Sequence, residues 1–270
     1  MKRIAIIGRP RSGTTALRVG WRKLKNIHVY DEIFHEVDAN REENFLNFVD
    51  ALSATPNAHL LTPSYKVRNT LFNAYVEHLD ACTAKAAPEA QAYVCSINYN
   101  FLGALNCVTQ SFEEPPRLLN YLGVHKFLII HLVRRNLLAS IISEMLAKQT
   151  GVWHLGYLSA DKASQDSVRV DVDYLLRRLY LGHAELLTYA AQLQTQKSVL
   201  SVDYERLYLE DRRLDETEMA RIEEFLGLNN LPRVVGLAKT RVRKLRETIE
   251  NIREVETALR WTQFHSMLDE

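Results

Sequence analysis

At 270 residues, with 47% hydrophobic and 25% charged side chains, the chain can build a sizeable core, and one α/β domain over 1–270 is expected. Its 34 Lys and Arg against 33 Asp and Glu leave a formal net charge of +1, which excludes the bulk positive field of a nucleic-acid or anionic-membrane binder and leaves only local basic patches. Three widely spaced cysteines, Cys82, Cys95 and Cys107, suggest neither a disulfide framework nor a zinc knuckle and fit reduced thiols in a cytoplasm.

Near its start the chain reads "RIAIIG", a short apolar run ending in Gly8, as expected of a strand buried on both faces of a parallel sheet. With no cleavage site or long apolar segment before it, a signal peptide is not expected. "GRPRSGTT" follows as a loop, and "TTALRVGWRKLKN" can turn helically. "NIHVYDE" reads as a second strand presenting Asp31 and Glu32 at its carboxyl end. "NREENFLNFVDAL" and "VRNTLFNAYVEHLDACTAK" have helical spacing, and "AYVCSI" is a third strand. "KFLIIHLV" is the strongest strand by length and branching, and is far short of the ~20 residues that cross a bilayer.

Next, "RRNLLASIISEMLAK" and "DVDYLLRRLYLGHAELLTYAAQLQ" read as amphipathic helices separated by the linker-like "LSADKASQDSVRV". "KSVLSVDYERL" is a last strand turning into a loop or helix, and "TEMARIEEFLGL" and "LRETIENIREVETAL" close the chain as helices. The alternation predicts a P-loop-like α/β fold, a mostly parallel sheet with helices on both faces. Ligands of such sheets sit beyond the carboxyl ends of the strands, which gathers the Gly8 loop, Glu32, Arg134/Arg135 and Asp203–Glu205 into one place.

The Gly8 loop has the frame of a phosphate-binding loop but puts Thr14 where the lysine belongs. Backbone N–H groups, the helix start, the hydroxyls of Ser12, Thr14 and Thr15 and the fork of Arg11 make an anion site there. The bland alternative is a strand-to-helix turn rich in small polar residues. "VRRNLLASIIS" offers a second anion site, an arginine at a strand end with a helical serine beyond it; taken alone it is more often a solvated arginine pair and a serine bonded to its own helix.

Together, "PRSGTT" and Arg135, Asn136 with Ser143 eight positions beyond the arginine resemble the sulfotransferases that use 3′-phosphoadenosine 5′-phosphosulfate. Bacterial carbohydrate sulfotransferases of the nodulation-factor and trehalose type are the closest in pattern. "DEIFHE", "VDYERL", "FLGL" and "ETIENIREVETAL" extend the likeness over most of the chain. It implies that Arg11, Ser12, Gly13, Thr14 and Thr15 hold the 5′-phosphosulfate and that Arg135, or its neighbour Arg134, holds the 3′-phosphate with Ser143. It also implies a carbohydrate or similar acceptor, no metal, and pairing as a homodimer. One departure is Ser96 in "VCSINYN", where members of the family often carry a lysine.

A sulfuryl group in transfer bears less negative charge than a phosphoryl group, so backbone donors and Arg11 can serve without a loop lysine and magnesium. The acceptor proton needs a base, and Glu32 is the candidate, with His35 and Glu36 in reserve. "HVYDEIFHE" also allows a metal reading through His28, Asp31, Glu32, His35 and Glu36, against which stands the lack of a partner cluster elsewhere. Trp153 and His154 could line the cleft or pack in the core. Tyr204 and Glu205 divide between lining and structural bonding, and Arg241, Arg243 and Lys244 between a flap and a solvated helix start. Two rivals remain: a phosphotransferase with Asp203 on magnesium, and a non-catalytic nucleotide-binding protein of the same fold.

Overall fold

A computed structural model describes residues 1–36, 41–61, 65–102, 117–153, 155–156, 167–209, 213–235, 237–238 and 244–269. Five strands form one sheet: β1 (Lys2–Gly8), β2 (Ile27–Glu32), β3 (Ala92–Asn98), β4 (Leu128–Val133) and, at its far edge, Val199–Asp203, which becomes β6 because the two-residue strand β5 (Leu155–Gly156) precedes it. Their order is β2-β3-β1-β4-β6 and every pairing is parallel. β5 pairs antiparallel with β7 (Leu237–Ala238) outside this sheet. The α/β expectation holds, with the five-stranded sheet wholly rather than mostly parallel.

The central strands β1, β3 and β4 are largely buried, β3 over all seven residues, so their sequences read as near-continuous apolar runs rather than alternating ones, while the edge strands β2 and β6 are only partly buried. On one face Ala5, Ile7, Tyr93, Cys95, Ile97 and Ile129 pack with α2 (Phe45–Ser53), α3 (Tyr65–Ala86) and α5 (Arg117–Val124). On the other, Ile4, Ile6, Val94, Ile130 and Leu132 meet α1 (Thr14–Trp21) and α9 (Glu216–Leu226). A third cluster joins α6 (Leu137–Thr150), the first half of α7 (Val172–Gln194) and the carboxyl-terminal helices. The short helices α4 (Tyr99–Leu102) and α8 (Tyr204–Leu207) follow β3 and β6 directly.

Two differences from the sequence pattern have physical causes. The closing helix expected over 245–259 is two, α10 (Leu245–Thr248) and α11 (Ile252–Leu259). Between them the backbone makes an isolated bridge to a distant segment: Val168 N–H donates to Thr248 O at 2.8 Å and Glu250 N–H to Val168 O at 3.1 Å. The Asn251 side chain takes both backbone groups of Val170. These long-range bonds outweigh the helical propensity of the segment, a weak prior in any case. The helix expected to begin at Arg134 begins instead at Leu137, because the Asn136 side chain accepts from Ala139 N–H at 2.7 Å and caps it. Both arginines therefore sit in the turn before α6.

Candidate active site

The carboxyl ends of the strands carry the candidate residues. Gly8 lies between Asn98 of β3 and Leu132 of β4 in the register of the sheet. A Cβ on Gly8 would stand 2.6 Å from Ser12 Oγ and 2.8 Å from the Leu132 carbonyl, so the loop closes only on glycine. Arg11 has φ 66° and Gly13 φ 89°, left-handed conformations that turn successive N–H groups toward one concavity ahead of α1. Under the loop, Tyr208 donates to Gly13 O at 2.8 Å, and the rings of Tyr204 and Tyr208 stand where a Gly13 side chain would be. Thr14 is buried and Thr15 half-buried at the start of α1. Ser12 is fully buried, and its hydroxyl has no partner among the described residues.

Arg11 does not extend into solvent. Its Nε and Nη2 donate to Ser143 Oγ at 3.2 and 3.0 Å, and its Nη1 to the carbonyl of Trp153 at 2.6 Å. Ser140, one turn earlier on α6, donates to Pro10 O at 3.1 Å. Arg134 reaches the same place from the other side: its Nη1 donates to Arg11 O at 2.7 Å and its guanidinium lies 4.5 Å from the centre of the Tyr204 ring. Burial, and then the charge of Arg134, pull the Arg11 pKa below the usual arginine value. Two cations and a buried hydroxyl, with loop N–H groups beside them, form a place where an anion would be stabilised.

Arg135 faces elsewhere. Its side chain is 69% exposed and pairs with Asp203 at 3.0 Å. The fold thus joins Ser143 to Arg11 and brings Arg134 to the loop, while Arg135 and Asp203 occupy the outer end of β4 and β6. Asp203, the magnesium candidate of the phosphotransferase reading, is held in that ion pair.

Glu32 reaches the site edge through a bulge. Val29 pairs with Val94 but Glu32 pairs with Ser96, so β2 carries one extra residue between these two pairings. Without it, Asp31 would stand opposite Ser96. The extra residue sends Asp31 to Arg18 and Arg22, each at 2.5 Å, and to Arg41, and leaves Glu32 to accept from Asn98 Nδ2 at 2.9 Å. Asn98 is the register neighbour of Gly8, so this hydrogen bond links the candidate base to the origin of the loop.

The remaining members of "HVYDEIFHE" separate. His28 packs edge-on against Tyr30, His35 lies edge-on against Phe101, and Glu36 is exposed. Among the described residues no group of three or more His, Cys, Asp or Glu side chains converges. Ser96 is fully buried, its hydroxyl without a partner among the described residues. Trp153 is half-exposed and contributes its carbonyl to Arg11. His154, Arg241, Arg243 and Cys107 lie outside the described residues, and Lys244 is exposed. No described helix is long and apolar enough to cross a membrane.

Below the loop lies a polar group that sequence reading passed over. Tyr99 Oη and His131 Nε2 share a hydrogen bond, and His131 Nδ1 meets Ser201 Oγ at 3.3 Å. Burial pushes His131 down to about 4 from an ordinary 6.5, so the ring is neutral, accepts at one nitrogen and donates at the other. Nearby, Arg9 pairs with Glu185 at 3.2 Å and lies flat on α7 at Gly182, where a Cβ would come within 2.8 Å of the guanidinium. His131 links stability to pH. Its folded pKa is depressed, so its stabilisation is full above 6.5 and is lost as pH falls toward 4. About 2 kcal/mol of stability is expected to disappear between pH 7 and pH 5 from this ring. Denaturant unfolding at the two pH values, compared with His131→Gln, in which this component is absent, checks it.

The chain matches no protein-family model and no curated protein. Solved structures similar to it include the following two. One is the sulfotransferase domain from the Synechococcus PCC 7002 olefin synthase, 14% identical with a TM-score of 0.42, the match covering 85% of this chain and 74% of that one. The other is a sugar kinase from Janibacter sp. HTCC2649 in unliganded form, 14% identical with a TM-score of 0.34, covering 85% of this chain and 96% of that one.

Proposed function

We propose that the chain is a sulfotransferase that moves a sulfuryl group from 3′-phosphoadenosine 5′-phosphosulfate to an acceptor hydroxyl, on a carbohydrate or glycolipid, as a cytoplasmic enzyme and a homodimer. The observation that carries the proposal is the contact of Arg11 with Ser143, 3.0 and 3.2 Å across 132 positions of sequence. It joins the two segments whose pairing resembles that family. The orphan hydroxyl of Ser12 and the adjacent charges of Arg11 and Arg134 support an anionic substrate at this point.

In this proposal the loop from Arg11 to Thr15 holds the 5′-phosphosulfate and Ser143 takes the 3′-phosphate with an arginine. Arg134 already faces the loop; Arg135 would first have to leave Asp203. Glu32, oriented by Asn98, removes the acceptor proton. The acceptor oxygen then bonds to sulfur as the bond from sulfur to the bridging oxygen breaks, and adenosine 3′,5′-bisphosphate departs with the negative charge. Arg11 and the loop N–H groups stabilise that charge. The transferred group carries less charge than a phosphoryl group, so Thr14 in place of lysine is no obstacle.

Transfer of labelled sulfate from the cosubstrate across a panel of sugar, glycolipid and phenolic acceptors tests the activity. Thermal shift separates the rivals. Adenosine 3′,5′-bisphosphate at a hundred times its Kd is expected to stabilise the protein by about 2.7 kcal/mol, with Mg-ATP having little effect. The reverse order would establish the phosphotransferase reading. Tight bisphosphate binding with no transfer to any acceptor would establish the non-catalytic one.

A further inference from the structure

We infer that Glu205 is a positioning residue for the turn that presents Arg134 and Arg135, an inference that rests on the proposed 3′-phosphate role of that turn. Glu205 is the second residue of α8. Its Oε2 accepts from Arg135 N–H at 3.2 Å and its Oε1 from Asn136 N–H at 3.1 Å. These consecutive donors stand immediately before α6, where a helix leaves its N–H groups unpaired. A carboxylate that takes both fixes the peptide planes on either side of Arg135, and with them the direction in which each arginine leaves the chain.

Neighbouring bonds complete the clamp. Asn136 Nδ2 donates to Met267 O at 2.9 Å while its Oδ1 caps α6. Tyr204, adjacent to Glu205, carries the Arg134 guanidinium on its ring. Two successive residues of "YERL" therefore act on the two parts of one turn: Tyr204 on the arginine side chain, Glu205 on the backbone. Glu205 acts through the turn rather than on a ligand.

The sign of the effect separates positioning from simple charge. Removing a carboxylate beside an anion site would, by Coulomb's law alone, tighten anion binding; removing a clamp loosens it. Calorimetry on wild type, Glu205→Gln and Glu205→Ala with adenosine 3′,5′-bisphosphate and adenosine 5′-monophosphate tests this. The expected result is bisphosphate affinity about tenfold weaker in Glu205→Ala, the equivalent of one charge-assisted hydrogen bond. Glu205→Gln, which keeps one acceptor oxygen and is the milder change should the alanine variant fold poorly, is expected between wild type and Ala. Monophosphate affinity is expected to be unchanged in both. Unchanged or tighter bisphosphate binding would overturn the inference, as would equal weakening of both nucleotides, which marks a general structural role. A wild type that does not prefer the bisphosphate would refute the 3′-phosphate reading itself, a failure visible before any variant is measured.

Discussion

Glu32→Gln is expected to leave affinity for adenosine 3′,5′-bisphosphate at the wild-type value and to lower turnover by about two orders of magnitude or more. The substitution keeps the shape of the side chain and an oxygen that can still accept from Asn98, so the end of β2 retains its geometry. It removes only the capacity to take a proton. Because Glu32 bonds to Asn98 at the end of β2 while Arg11 and Ser143 bond to each other, the loss is expected in kcat and not in cosubstrate binding. Asn98→Ala should produce a smaller loss in the same parameter, since the base remains but is no longer oriented. Single-turnover sulfate transfer with saturating cosubstrate measures both. Retained turnover in Glu32→Gln would remove it as the base and direct attention to His35.

The bulge in β2 explains why the candidate base was legible only in part. Composition and strand order place both Asp31 and Glu32 at the carboxyl edge, and nothing in "HVYDEIFHE" says which of them faces the loop. One extra residue between Val29 and Glu32 decides it, and three arginines on α1 and beyond fix the outcome by claiming Asp31. Asn98 was within reach of the sequence: it is one pleat beyond Ser96, a second polar residue at period two in an otherwise apolar strand. The central strands were readable because burial on both faces makes them near-continuous apolar runs. The break at Ile249 was not, because its cause, Val168, is far away in sequence.

The two anion motifs show the same division. The rule that ligands collect at the carboxyl ends of parallel strands brings Arg11 and the turn before α6 together, but it does not choose between adjacent arginines. That choice depends on where the helix starts. Asn136 caps α6 and Glu205 holds the backbone before it, which turns Arg134 inward over Tyr204 and Arg135 outward to Asp203.

Arg11 is where binding and folding are expected to separate most clearly. A non-glycine residue at φ 66° costs about 1–2 kcal/mol relative to an ordinary conformation, and its guanidinium is mostly removed from water beside a second cation. Three hydrogen bonds to Ser143 and Trp153 offset these terms in the ligand-free protein. Arg11→Gly removes the side chain and the backbone strain together, so the midpoint of thermal unfolding is expected to change little. Affinity for adenosine 3′,5′-bisphosphate should fall about a hundredfold, the equivalent of two charge-assisted hydrogen bonds at roughly 1.4 kcal/mol each. Arg11→Ala loses the same contacts and keeps the left-handed backbone, so it should bind as weakly as the glycine variant and unfold at a lower temperature. Arg11→Lys restores the charge without the planar fork and should recover only part of the affinity. Calorimetry and thermal unfolding on the three variants give both quantities. A drop in unfolding temperature in Arg11→Gly with full nucleotide affinity would make the arginine a structural brace between the loop and α6 and would withdraw it from the anion site.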